Sequence, residues 1–467
     1  MWQLLFSVNL MSLRECLSPR LLLKLCISYG DLLRVLVRSF GCSSSVADGE
    51  VMAGCLRAAG LELTASIEEA DVVVFNTCAV KSPTENKMIH LLKRVPPEKR
   101  LVVAGCLPLI NYPRLLHEVR FDAVVGPAFG ERIVDVVERV AKGERVITLD
   151  GSQRKADLDL PRVRMNPVVG IVPIAYGCLG DCSYCCVHFA RGRLRSFGVD
   201  EVVDCVRKSL GEGIREFWLT GQDVGCFGLD SHGKENVVDL VQKICLVSDF
   251  GEFWVRLGMM TPNLLLPFAE AYALFLSMQR ESRGHVFEFL HLPVQSGDDE
   301  VLRLMNRRYR VEDFRRIVGV FRRVLPRVTV ATDVIVGFPG EDEGAFRRTV
   351  ALIEEVKPDI VNVSKFFARP NTLAEKMRGK VDAQELGRRS EALAEVSRKI
   401  SLEKNKAWIG WKGQILIDER GKKGDSWVGR NFVYKPVVVH NNECMLGKVL
   451  SVRVVDAFQS HLVGEVF

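Results

Sequence analysis

Tyr176-Gly177-Cys178-Leu179-Gly180-Asp181-Cys182-Ser183-Tyr184-Cys185 sets three cysteines at the spacing C-x3-C-x2-C, with a tyrosine directly before the third. Cysteine sulfur is the usual protein ligand of iron–sulfur clusters, so three thiolates on one tight loop can hold three irons of a 4Fe-4S cluster. The fourth iron then has no protein ligand and is open to a small molecule. A structural zinc knuckle competes with this reading. It needs a nearby fourth Cys or His, and Cys186 and His188 are close enough in sequence to supply one. The loop alone leaves both open.

Outward from the loop, residues 168–175 read as the strand that delivers it. Apolar strand patterns recur at 216–223, 253–258, 288–292, 328–336 and 360–363, with helical patterns between them, notably 311–324 and 343–356. Six such strands predict a partial (βα)6 barrel over residues 166–403. Barrel active sites sit at the carboxyl ends of the strands, and the cysteine loop follows the first of them.

Upstream, residues 33–145 alternate strand and helix patterns, which predicts a doubly wound α/β domain. The run Asp71-Val72-Val73-Val74-Phe75-Asn76 is continuously apolar after Asp71, as expected of a parallel strand covered on both faces. Cys42, Cys78 and Cys106 each follow a predicted strand at its carboxyl end. Ligands of open parallel sheets bind at that edge, so three thiolates could meet there. One such cysteine is ordinarily a small core residue. Three in the same topological place favour a site.

Residues 146–165 are charged and read as a linker. A charge-rich helix over 382–406 leads to short, evenly spaced strands in residues 404–467, the pattern of a small β-barrel. That segment has a weak basic bias. Trp411, Trp427, Phe432 and Tyr434 offer stacking surfaces suited to RNA, although a structural cap has the same composition.

The 467 residues are 48% apolar and 26% charged, an ordinary globular balance. The formal charge of +6 permits a polyanionic partner. Fourteen dispersed cysteines suit a reducing compartment with metal chemistry, and no apolar run is long enough to span a bilayer. Residues 1–32 place their basic residues after the apolar stretch, opposite to a signal peptide, and are read as an extension.

These motifs resemble the methylthiotransferases of the radical S-adenosylmethionine (SAM) superfamily over residues 33–467. Ser39-Phe40-Gly41-Cys42, Asn76-Thr77-Cys78-Ala79-Val80 and Gly105-Cys106 look like that family's first cluster loops. Lys81-Ser82-Pro83, the loop at Cys178 and Ala190-Arg191-Gly192 are most similar to the archaeal and eukaryotic branch, which acts on threonylcarbamoyladenosine in tRNA. The resemblance implies two 4Fe-4S clusters, one on Cys42, Cys78 and Cys106 and one on Cys178, Cys182 and Cys185. It also implies SAM beside Tyr184, Gln222, Asp333 and Gly337, and a carboxyl-terminal TRAM domain for RNA.

The implied reaction uses a 5′-deoxyadenosyl radical to insert sulfur at C2 of N6-threonylcarbamoyladenosine next to the anticodon, then methylates it. The implied partner is the tRNA anticodon stem-loop, with a cytoplasmic, monomeric enzyme expected and the sulfur and electron donors unassigned. Arg191 and Arg193 are candidate contacts to SAM or the substrate carboxylate. The rivals are the same chemistry on isopentenyladenosine or a ribosomal protein aspartate, and a noncatalytic zinc or cluster RNA-binding protein. Four positions depart from the family pattern: Cys226 where a tyrosine is usual, Asn371 where glycine is common, and the less polar Cys186 and Val187.

Overall fold

Valine-rich segments of the amino-terminal region pair side by side because both of their faces can be buried. In the computed structural model, which describes residues 33–467 apart from 151–154, 232–234, 248–249, 280–283 and 423, six strands form one parallel sheet. The extension read at residues 1–32 lies outside the described residues. The strands are β1 (Arg34–Ser39), β2 (Glu62–Leu63), β3 (Val72–Thr77), β4 (Arg100–Gly105), β5 (Ala123–Val125) and β6 (Val146–Thr148), in the order β2-β1-β3-β4-β5-β6.

All six residues of β3 are buried. Val73 and Phe75 pack on one face with Met88, Ile89 and Leu92 of the helix Ser82–Lys93. Val72 and Val74 pack on the other with Val51, Leu56 and Val137 of the helices Ser43–Ala58 and Ile133–Ala141. This is the doubly wound arrangement. One boundary differs from the sequence reading: Val146–Thr148, in the stretch read as linker, is the last strand, with Val146 buried and paired in parallel to Ala123. Its short apolar segment closes the sheet before the charged residues begin.

The central region contains β7 (Val169–Pro173), a two-stranded ribbon of β8 (Ala175–Tyr176) and β9 (Arg195–Ser196), then β10 (Glu216–Thr220), β11 (Phe253–Leu257), β12 (Gly284–Val286), β13 (Phe289–His291), β14 (Thr329–Val336) and β15 (Ile360–Lys365). Parallel pairing runs β7-β10-β11-β12 and then β13-β14-β15. β12 and β13 are consecutive pieces of one segment that passes from the first sheet to the second, so the arc has the six strands expected. Phe217, Phe253, Leu290 and Phe321 are among its fully buried side chains, each worth roughly 1.5–3 kcal/mol relative to exposure.

The helix Ala383–Lys406 starts at Asp382, whose carboxylate accepts the N–H groups of Gln384 and Glu385. It leads into a closed barrel of β16 (Lys412–Arg420), β17 (Ser426–Arg430), β18 (Pro436–His440), β19 (Val449–Ala457) and β20 (Leu462–Val466), ordered β16-β17-β18-β20-β19. This barrel seats against the amino ends of the central strands. Glu288 N–H donates to the Phe432 carbonyl, and Lys435 Nζ donates to Asp359 Oδ1 at 2.9 Å.

The aromatics offered for RNA stacking are largely engaged in packing. Trp427 is buried, Trp411 and Phe432 pack with Trp408, and Tyr434 packs with Phe287 and Phe289. A barrel this small fills its interior and its seam with its largest apolar rings. Among the described residues no helix is long and apolar enough to cross a membrane.

Candidate active site between two cysteine triplets

Each sheet turns its carboxyl edge toward the other, and one cavity of about 730 Å³ lies between them. It is lined by Cys42, Cys78 and Cys106 from one side and by Cys178, Cys182 and Cys185 from the other.

The first triplet is assembled by the fold. Cys42 follows β1 and opens the helix Ser43–Ala58, Cys78 follows β3, and Cys106 follows β4. The order β2-β1-β3 reverses direction between β1 and β3, so the crevice beside Cys42 and Cys78 is the switch point where α/β sheets bind ligands. Gly105 holds φ +94°, and a Cβ there would meet the Thr77 carbonyl oxygen at 2.5 Å. Only glycine lets β4 turn so close to the neighbouring strand and set Cys106 beside Cys78.

The second triplet is assembled by one loop. Gly177 holds φ +76°, and a Cβ there would meet the Arg193 carbonyl oxygen at 2.0 Å. The loop is fastened by Gly177 N–H to Gln222 Oε1 at 2.6 Å, Gly180 N–H to Cys178 Sγ at 3.2 Å and Asn306 Nδ2 to the Asp181 carbonyl at 2.7 Å.

Burial pushes most of these thiols upward: Cys106 and Cys185 each to about 12, and Cys78 and Cys182 above their ordinary value. Cys178 differs. A hydrogen bond from the buried Cys226 thiol is the main reason it is lowered to about 7. Buried neutral thiols are poor metal ligands until a cation offsets the charge, and iron supplies that charge. Among the described residues no three His, Cys, Asp or Glu side chains are close enough to hold a single metal ion. Three cysteine sulfurs on each side of the cavity are the donor set of a 4Fe-4S cluster with one iron left open. Cys186, the suggested fourth zinc ligand, is buried with its Sγ 4.0 and 3.9 Å from the carbonyls of Ala79 and Val80.

Of the residues expected near SAM, three line the cavity. Tyr184 packs edge-on to Phe338 with ring centroids 6.2 Å apart, under the Arg307 guanidinium at 5.8 Å. Gln222 reaches back to the cysteine loop. Asp333 meets His291 Nε2 at 3.0 Å and Asn362 Nδ2 at 2.8 Å. Burial would raise the Asp333 carboxyl, but His291 and Asn362 outweigh it and hold it below its usual range.

Gly337, the fourth, does not line the cavity. It packs at the end of β14 against Leu386 and Val381, where its φ of +76° and a Cβ contact of 2.3 Å to Leu386 explain the glycine. Arg191 lines the cavity. It is buried in an ion pair with Asp48 at 2.7 Å, whereas Arg193 is exposed and pairs with Asp181 at 2.9 Å.

Two departures from the family pattern gain physical reasons. Asn371 has φ +65°, a left-handed position that asparagine tolerates better than other non-glycine residues. Cys226 is buried beside Ala175 and Leu194, with its Sγ 2.9 Å from the Asp223 carbonyl oxygen.

Residues missed by the sequence reading complete the site. Ser43 Oγ lies 2.7 Å from Thr220 Oγ1, which ties the Cys42 helix to the end of β10. Lys81 Nζ donates to Ser364 Oγ at 2.6 Å across the mouth. Asp223 is buried, accepts from Thr261, and is raised mainly by desolvation. Arg307 lines the same cavity, with its guanidinium over the Tyr184 ring.

A cysteine-bearing loop at the end of the first strand of a parallel six-strand arc defines the radical SAM class. A model of the radical SAM superfamily matches residues 172–353, and one described as "Uncharacterized protein family UPF0004" matches residues 34–126. A probable threonylcarbamoyladenosine tRNA methylthiotransferase of Pyrococcus horikoshii is 40% identical over 439 residues, covering 93% of this chain and 100% of that protein. The threonylcarbamoyladenosine tRNA methylthiotransferase of Homo sapiens is 37% identical over 439 residues, covering 92% of this chain and 74% of the human protein. The chain belongs to the threonylcarbamoyladenosine tRNA methylthiotransferase family and is a radical SAM tRNA methylthiotransferase.

Among solved structures, the radical SAM methyltransferase TsrM of Kitasatospora setae, with tryptophan and a SAM analogue, matches with a TM-score of 0.52. Identity is 15%, over 74% of this chain and 75% of that one, a likeness of fold.

Proposed function

We propose that this enzyme converts N6-threonylcarbamoyladenosine next to the tRNA anticodon to its 2-methylthio derivative, inserting sulfur at C2 and methylating it. The observation that carries the reading is that both cysteine triplets face one cavity. In this reading Cys178, Cys182 and Cys185 hold one 4Fe-4S cluster, and Cys42, Cys78 and Cys106 hold the other. When bound, the first supplies with SAM the radical that breaks an unactivated C–H bond, and the second presents the sulfur.

The chain's own residues position and screen. Tyr184, Gln222 and Asp333 lie where SAM would be oriented. Leu229, Leu264, Val334 and Phe366 give the wall apolar surface that excludes water from a radical. Lys81, Arg308 and Lys365 line the same cavity and suit an RNA phosphate or the threonyl carboxylate. Exposed Lys412 and Arg453, paired across β16 and β19, and exposed Lys448 suit the tRNA backbone.

The test is mass spectrometry of tRNA nucleosides after anaerobic reaction of the full chain with SAM, reductant and sulfide. Conversion of threonylcarbamoyladenosine to a 2-methylthio product is expected. Product only from isopentenyladenosine tRNA would overturn the substrate assignment.

A further inference from the structure

Arg191 is among the largest fully buried side chains of the protein, with a relative exposure of 1%. Removing a guanidinium from water is expensive unless its charge and its N–H groups are matched. Half of that matching is visible. Nη2 donates to Asp48 Oδ2 at 2.7 Å, Asp48 Oδ1 accepts the Tyr176 hydroxyl at 2.8 Å, and the guanidinium lies 5.6 Å from the Tyr176 ring centroid. The other half is not: Nη1 is buried and has no hydrogen-bond partner among the described residues. Unmatched buried N–H groups are rare and call for an explanation.

Arg191 lines the cavity together with Cys42, Cys78 and Cys106. It closes the helix Val187–Arg191, whose Ala190 shares a packed core with Cys106. It is the nearest cation to that triplet in electrostatic effect, opposing the upward push of burial on Cys106.

We propose that Arg191 is a positioning residue for the amino-terminal cluster. It is supplied by the central domain, donates Nη1 to the sulfur ligands of Cys42, Cys78 and Cys106, and raises that cluster's reduction potential. The inference rests on the ligand assignment proposed above. Cluster potentials follow net charge and hydrogen bonds to sulfur, and both contributions have the same sign here, because a cation and a donor favour the more negative reduced state. Arginine suits the place because its charge is permanent and its fork serves two acceptors, Asp48 with one limb and sulfur with the other. Tyr176 stands two residues before Cys178, so the network also joins the two cysteine groups.

The test uses full-length variants that carry Cys178, Cys182 and Cys185 as alanine, so that iron, sulfide and an EPR-monitored potential report on the amino-terminal cluster alone. Replacing Cys42, Cys78 and Cys106 by alanine must remove iron; if it does not, the ligand assignment itself fails, before any potential is compared. Arg191→Gln with Asp48→Asn leaves no unpaired buried charge. It is expected to lower the reduced-to-oxidised ratio at fixed potential about tenfold, which is about 59 mV for one electron. Arg191→Lys keeps the charge beside Asp48 and should give a smaller shift. In the reciprocal background, with Cys42, Cys78 and Cys106 as alanine and Cys178, Cys182 and Cys185 intact, the same Arg191 changes should leave the remaining cluster's potential unchanged. An unchanged amino-terminal potential in both Arg191 variants, with iron retained, would make Arg191 only the partner of Asp48 and overturn the proposal. Equal losses of iron in the two backgrounds would overturn it as well.

Discussion

The two cysteine triplets face one cavity but depend on different parts of the fold. Cys178, Cys182 and Cys185 sit close in sequence on one loop, so their spacing is largely a local property of the chain. Cys42, Cys78 and Cys106 stand at the ends of three strands, and their spacing exists only when the sheet is formed. A local site tolerates disturbance elsewhere, whereas an assembled site inherits every displacement of its sheet.

The largest effect should come from the cysteines themselves. Replacing any of the six with alanine is expected to reduce methylthiolation to background, but by different routes. Cys42→Ala, Cys78→Ala or Cys106→Ala should remove about one cluster's iron and leave SAM cleavage measurable, whereas Cys178→Ala, Cys182→Ala or Cys185→Ala should abolish it. Iron analysis paired with 5′-deoxyadenosine release separates the two. Loss of SAM cleavage in all six variants would erase the distinction between the triplets.

The buried pair of Arg369 and Glu85 offers a sharper cut. It joins the loop after β15 to the helix that follows Cys78, with side-chain exposures of 5% and 1%. Stranding a buried charge outright typically costs about 3–5 kcal/mol, but Arg114, 2.7 Å from Glu85, keeps this carboxylate paired and makes the cost smaller. Arg369→Ala should therefore lower Tm and deplete iron from the assembled triplet first. Iron lost in equal measure from both triplets would show that the loop is no more autonomous than the sheet.

The backbone allows a finer comparison. Gly105→Ala would force a Cβ against the Thr77 backbone at a left-handed φ, a strain of roughly 1–3 kcal/mol. Because it stands directly before Cys106, it should reduce iron bound by the assembled triplet and leave SAM cleavage largely intact. Gly177→Ala is strained in the same way and should show the reverse pattern, measured by the same two assays.

The same contrast explains what could be read from the chain. The loop at Cys178 was legible because its ligands are neighbours in sequence, and β3 was legible because a run buried on both faces is uniformly apolar. Strand ends placed Cys42, Cys78 and Cys106 on one edge before any coordinates were known. Arg191 and Asp48 were not legible as partners. They lie 143 positions apart, and no periodicity encodes a contact between domains. Gly337 is ambiguous from sequence because a glycine at a strand end serves packing as readily as a cofactor. The carboxyl-terminal aromatics misled because composition does not distinguish a ring that faces solvent from one that fills a core.

The smallest effect should come from the seam between the central strands and the small barrel, at the ends of the strands away from both triplets. Glu216 is fully buried there, with Trp218 Nε1 donating to Oε1 at 2.6 Å and Oε2 unmatched among the described residues. Desolvation first, and then Asp418, raise its carboxyl above the ordinary 4.5. The folded chain therefore holds a proton that the unfolded chain releases. The stability linked to that proton is fully present below about pH 4.5 and is lost as pH rises through the folded-state value. Tm of the parent protein should accordingly fall across that window, and Glu216→Gln, which cannot ionise, should flatten this part of the profile. Neither change should alter the iron held by the two triplets, since the seam meets the opposite ends of the strands. Parallel Tm profiles for parent and variant would refute the buried proton, while iron lost from the assembled triplet alone would show that strain at the amino ends of the central strands reaches the amino-terminal sheet.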